Sequence, residues 1–132
     1  MGTLIDSSIL IAAERGAIDL ASELETRQSE AFAIAAITAS EVLHGVLRLQ
    51  GVHQARARAH VEGWLRELAV VAFDRPIAET HAVLAVDLAG RGETMGAHEL
   101  QIAATAVRLG YGVATHDRRS FSRLPDLPVQ YW

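Results

Sequence analysis

Five short apolar runs, set apart by helical patterns, constrain this chain more than any other feature of its sequence. The runs are Thr3–Ile5, Phe32–Ile37, Leu68–Phe73, Gly112–Thr115 and Pro128–Tyr131. The first four are apolar nearly throughout, as strands covered on both faces of a parallel sheet are expected to be. Helical patterns fill the gaps: Ser8–Glu14 and Ile18–Arg27, a pair broken around Gly16, then Ser40–Leu49, Gln54–Leu68, Pro76–Ala89 and His98–Leu109. Pro76 opens one helix, and Gly90 and Gly110 follow the ends of two, the usual asymmetry of helix termini. Strands alternating with helices imply a three-layer α/β/α domain around a mostly parallel five-stranded sheet.

At 132 residues the chain is about one domain long, and no Pro/Gly/Ser-rich stretch divides it, so residues 1–132 are read as a single domain. There is no cysteine, which excludes a disulfide framework and a thiolate metal site and fits a reducing cytoplasm. The start, Met1-Gly2-Thr3-Leu4-Ile5-Asp6, lacks a basic segment and meets an acid at once, so no signal peptide is expected. No run approaches 18 apolar residues, and a soluble protein without membrane contact is expected.

Net charge is −4, and all twelve basic residues are Arg. That balance argues mildly against a nucleic-acid binder, unless the acids gather in one pocket and divalent metal neutralises them there. Arg is then free to contact phosphates, which its planar fork suits. The lack of Lys excludes a Walker A phosphate loop and the Lys-dependent receiver domains of two-component signalling. Gly90-Arg-Gly92-Glu-Thr-Met-Gly96 has the wrong spacing for a dinucleotide loop and follows a helix.

In open parallel sheets the ligand crevice lies beyond the carboxyl ends of the strands. Asp6 ends the first strand and Asp117 closely follows the fourth. Glu41 is expected in the first turn of the helix after the second strand, and Glu99 in the first turn of the helix leading into the fourth. If strands one and four are neighbours, all four acids can converge. Each also has a structural reading. Asp6 could cap the first helix, Thr38-Ala-Ser-Glu41 matches a capping box, Asp117 could cap the turn into Arg118–Phe121, and Glu99 could serve a helix dipole. Glu99, however, heads a helix apolar almost all round, where a carboxylate needs a partner. Asp74, before Arg75-Pro76, is better explained as a helix cap.

Six histidines offer weaker alternatives: His44, His53, His60, His81, His98 and His116. Glu41-Val-Leu-His44 has the spacing of di-iron bundles, but it has no second copy. His98 and His116 adjoin Glu99 and Asp117 and read best as rim residues. An all-oxygen ligand set favours Mg²⁺ or Mn²⁺ over Zn²⁺. No G-x-S-x-G elbow supports a serine hydrolase.

Four segments together resemble a known family: "LIDSSILI", "ITASEVLHGV", "MGAHELQIAATAVRLGYGVATHD" and "RRSFSRLPDLPVQ". They look like a PIN domain, and are similar to the VapC toxins of type II toxin–antitoxin systems, across essentially the whole chain. The resemblance implies an endoribonuclease of PIN fold that cleaves RNA phosphodiesters through metal-activated water, with Mg²⁺ or Mn²⁺. It also implies a cognate VapB-type antitoxin and a homodimer. The family's four acids fall on Asp6, Glu41, Glu99 and Asp117, its hydroxyl beside the metal on Thr115, and the Ser/Thr after its first acid on Ser7. Two positions depart: the third acid is usually Asp and is here Glu99, one methylene longer, and position 120, often acidic, is Ser120.

On this reading Asp6 is the central ligand, joined by Glu99 and Asp117, with Glu41 bound directly or through water. Arg118, Arg119 and Arg15 are candidate phosphate contacts. Two other classes remain open: a catalytically weakened PIN-like module that binds RNA or protein, and a phosphatase or DNA nuclease using the same carboxylates.

Overall fold

The computed structural model describes residues 2–132. Its elements run β1 (Gly2–Ile5), α1 (Ser7–Glu14), α2 (Leu20–Glu25), β2 (Ala31–Ala35), α3 (Ala36–Leu47), α4 (Gly51–Glu67), β3 (Ala69–Val71), α5 (Arg75–Gly90), α6 (Ala97–Leu109), β4 (Gly112–Thr115) and β5 (Val129–Tyr131). The strands form one sheet in the order β3-β2-β1-β4-β5, and every pairing is parallel. The chain thus winds outward from β1 in both directions, which places the switch of direction between β1 and β4. Ligand crevices open at the carboxyl ends of strands at such a point.

Alternation along the strands builds two cores. Leu4, Ala33, Ala35 and Val113 face α5, α6 and the 121–127 segment, with Leu88, Ile102 and Phe121 among the residues packed there. Ile5, Ile34 and Ala114 face the other way, against Ile9, Leu10, Val42, Val46 and Val61 of α1, α3 and α4. Each central strand is therefore apolar on both sides, and this is the reason its run is continuous rather than alternating.

The elements differ from expectation where local signals compete. β3 is apolar but lies at the sheet edge, and Val70 is exposed, so the run Leu68–Phe73 shortens to three residues. The run Phe32–Ile37 is divided, since β2 ends at Ala35 and that residue is itself the N-cap of α3. Helix α3 therefore starts four residues before Ser40. Asp74 does cap α5, accepting the Ile77 N–H at 3.1 Å.

Candidate active site

Asp6 follows β1 directly and is 4% exposed. It occupies the N-cap position of α1, but its side chain makes no capping hydrogen bond. Its Oδ2 instead accepts the Ser8 hydroxyl at 2.6 Å and the Thr115 hydroxyl at 2.9 Å. Thr115, the last residue of β4, is fully buried, and its Oγ1 is 3.1 Å from that of Ser8. Ser8 Oγ also accepts the His116 N–H at 3.0 Å, and Thr115 Oγ1 accepts the Asp117 N–H at 3.1 Å. Two hydroxyls and the His116 N–H thus stitch the end of β1 and the start of α1 to the end of β4 beside one carboxylate. Burial pushes the Asp6 carboxyl above its ordinary range; the Ser8 and Thr115 hydroxyls oppose that rise, and the charge of Glu99 adds to it.

The capping box expected at Thr38–Glu41 does not form. With α3 starting at Ala36, Thr38 is the third helical residue and Glu41 lies in the second turn, beyond reach of the N-cap. A strand that runs into a helix without a loop left no room for the sequence signal to act. Glu41 instead faces α6, where its Oε2 stands 3.2 Å from His98 Nδ1, and its Oε1 is buried without a partner among the described residues. His98, half exposed as a rim residue would be, is thus a neighbour of Glu41.

Glu99 is in the first turn of α6, as expected. Its carboxylate curls back over Gly96, the N-cap of that helix, and a Cβ at position 96 would overlap it. Glycine there makes room for the longer acid. Asp117 is exposed, two residues past β4, and its Oδ1 accepts the Arg119 N–H at 2.9 Å. That N–H, followed by the Ser120 hydroxyl, holds its carboxyl below the usual range. Position 120, where the family often has a further acid, is a half-buried serine whose backbone N–H meets the Asp117 carbonyl at 3.4 Å.

The other expected residues are spread around this crevice. Ser7 is buried, but Ser8 is the serine bound to Asp6. Sequence reasoning missed Ser8, because only the phase of α1 tells which of two adjacent hydroxyls turns back to the strand end. Arg118 lies over the Tyr131 ring at 4.7 Å, and Arg119 is exposed. Arg15 caps the far end of α1, about 12 Å along an eight-residue helix from Asp6. Among the described residues, no three acidic or histidine side chains stand close enough to hold one metal ion. Glu99 and Asp117 are folded onto their own backbones, and Asp6 and Glu41 are the inward pair.

A cavity of about 620 Å³ lies at the opposite pole, lined by Gly110 and Pro128 among others, away from these acids. A groove of about 520 Å³ runs between α1, α3 and α4, with Leu10, Val46 and Trp64 in its floor and Arg15 and Arg56 at its rim.

Comparison with known proteins decides the family. The PIN domain model matches residues 3–127. Ribonuclease VapC1 of Rickettsia felis is 32% identical over 130 residues, 98% of this chain and 95% of that protein. The chain is a PIN domain of the VapC ribonuclease family. The tRNA(fMet)-specific endonuclease VapC of Salmonella typhimurium is 29% identical over 99 residues, covering 75% of this chain and 74% of that protein. In fold, this PIN domain matches VapBC2 from Rickettsia felis bound to a promoter DNA fragment, with a TM-score of 0.89 at 22% identity, over 100% of this chain and 99% of that one. The family makes it a nuclease, and PIN-domain nucleases generally depend on divalent metal. No described helix is long and apolar enough to cross a membrane.

The donor set fits such an ion. It is all oxygen, it includes the buried Asp6 carboxylate, and Glu41 offers a buried oxygen without a partner.

Proposed function

We propose that this chain is a Mg²⁺-dependent endoribonuclease, with Mn²⁺ able to substitute, and the toxic component of a type II toxin–antitoxin module acting in the cytoplasm. The observation that carries the reading is Asp6, a carboxylate kept buried at the sheet's switch point and held by two hydroxyls rather than by a cation of the protein. Asp6, Glu99 and Asp117 would hold the ion, with Glu41 direct or through water. When bound, it would supply charge against that developing on the phosphate and lower the pKa of the attacking water. Ser8 and Thr115 fix the Asp6 carboxylate in one orientation, so the central ligand needs no reorganisation. Glu99 and Asp117 would turn inward from Gly96 and Arg119.

Arg118 and Arg119 would meet phosphates flanking the cut, and Tyr131 supports the Arg118 guanidinium from one side. Arg15, at the rim of the α1/α3/α4 groove, is better placed for a protein partner. That groove fits the apolar face of an amphipathic segment from a VapB-type antitoxin. Its walls are α1, α3 and α4, with no lining residue from α2. The exposed Val83 and Val86 on α5 offer a face to a second copy in a homodimer.

The test is cleavage of RNA, single-stranded DNA and a phosphomonoester by the parent and Asp6→Asn, with Mg²⁺ and with EDTA. The expected result is RNA cleavage by the parent with Mg²⁺ only, reduced at least about 10²-fold in the variant. Equal Mg²⁺-dependent cleavage by both proteins would defeat the assignment.

A further inference from the structure

Four threonines are buried among the described residues, and three have a hydroxyl partner. Thr3 donates to Glu30 at 2.7 Å, and Thr115 to Asp6 at 2.9 Å. Thr105, inside α6, donates to the carbonyl of Gln101 one turn back at 2.8 Å, the ordinary solution for a helical threonine. Thr38 is the exception: it is 0% exposed, and its Oγ1 has no partner among the described residues. The reason is local. Thr38 is the third residue of a helix that follows β2 without a loop, so the residue four back, Ile34, lies in the strand. The solution open to Thr105 is closed to Thr38.

One other buried side-chain oxygen is likewise unpartnered among the described residues, and it is Oε1 of Glu41. Positions three apart on a helix are neighbours on one face. The other oxygen of Glu41 is already engaged at His98, which ties the carboxylate to the mouth of α6. Two orphan oxygens therefore stand on one face of α3, three residues apart, one a neutral donor and acceptor, the other an acceptor. Buried polar atoms of this kind are nearly always satisfied, by protein, water or an ion.

We propose that Thr38 is a positioning residue of the metal site, its hydroxyl and Glu41 Oε1 sharing one water molecule of the cation's shell. Thr38 thereby holds Glu41 at the distance where it acts through water rather than directly. A hydroxyl suits this place because it can donate to the carboxylate or the water and accept from the other. The inference rests on the reading of the site given above and adds an oxygen group that the four acids do not include.

The discriminating feature is that Thr38→Val should move two quantities in opposite directions. It keeps the side-chain volume and removes a desolvated hydroxyl, so the metal-free variant should melt no lower than the parent. Its Mn²⁺ affinity, by titration calorimetry, should fall roughly tenfold, in the range found for groups that orient metal ligands. Thr38→Ser, which keeps the hydroxyl, should bind Mn²⁺ like the parent. Should Thr38→Val fail to fold, Thr38→Ala against Thr38→Ser makes the same comparison. Mn²⁺ affinity within twofold of the parent in the variants lacking the hydroxyl, or an equal loss in Thr38→Ser, overturns the inference and leaves the assignment of the acids standing. A parent that binds no Mn²⁺ overturns both.

Discussion

Asp6 and Asp117 follow neighbouring strands that pair in parallel, yet they sit in opposite environments. Asp6 is buried among hydroxyls at the sheet's centre, and its carboxyl is pushed up mainly by lost solvation. Asp117 is exposed on a turn and is pulled down mainly by the Arg119 N–H. The two halves of the site therefore differ in kind. One half, Asp6 with Ser8 and Thr115, is fixed by the sheet before any ligand arrives. The other half, Glu99 and Asp117, is folded onto its own backbone, against Gly96 and Arg119. The difference teaches that the rigid sheet can support a buried carboxylate at its centre, whereas the turn beyond β4 leaves Asp117 solvated and held by its own backbone.

The largest expected effect is at Asp6. Because its folded carboxyl titrates above the ordinary value of 3.8, the native state keeps a proton to higher pH than the unfolded chain does. Stability then declines as pH rises through that window, and ionised Asp6 is a burden at neutral pH. Metal-free Asp6→Asn should accordingly melt above the parent at pH 7, a gap that closes below about pH 4, as scanning calorimetry across pH would read. The same variant should lose the rise in melting temperature that Mn²⁺ gives the parent. Next comes Ser8→Ala, which removes one of the two hydroxyls on Asp6. Mn²⁺ affinity should fall roughly 10- to 100-fold, while Ser7→Ala should change it much less, a contrast that checks which serine serves the site. The smallest effect is expected of Gly96→Ala. The backbone there, at φ −56°, suits any residue, and the overlapping group is the movable end of Glu99. Melting should hardly change, and Mn²⁺ affinity should tighten, by less than about tenfold, because Glu99 is denied its folded-back position.

The sheet and the places of Asp6, Glu99 and Asp117 around it were readable because both depend on patterns that survive projection onto sequence. Continuous apolar runs mark strands buried on two faces, and the strand ends locate Asp6 and Asp117. What was not readable depends on helix phase and on junctions. The start of α3 was misplaced, since Thr38-Ala-Ser-Glu41 carries a local capping signal that the loopless β2–α3 junction overrides. The same junction leaves Thr38 without a partner. Ser8 rather than Ser7 bonds Asp6, whereas the family pattern marks the residue directly after the first acid and so points to Ser7. The strand-like run ending at Phe73 ran long because an edge strand can be apolar without being covered.

The most direct measurement is anomalous diffraction from crystals of the protein grown with Mn²⁺. A peak about 2.0–2.2 Å from an Asp6 oxygen, with Glu99 or Asp117 rotated inward to meet it, is the expected result. Crystals saturated with Mn²⁺ that show no peak at Asp6, with both other acids still folded onto Gly96 and Arg119, would contradict a shared cation at this crevice.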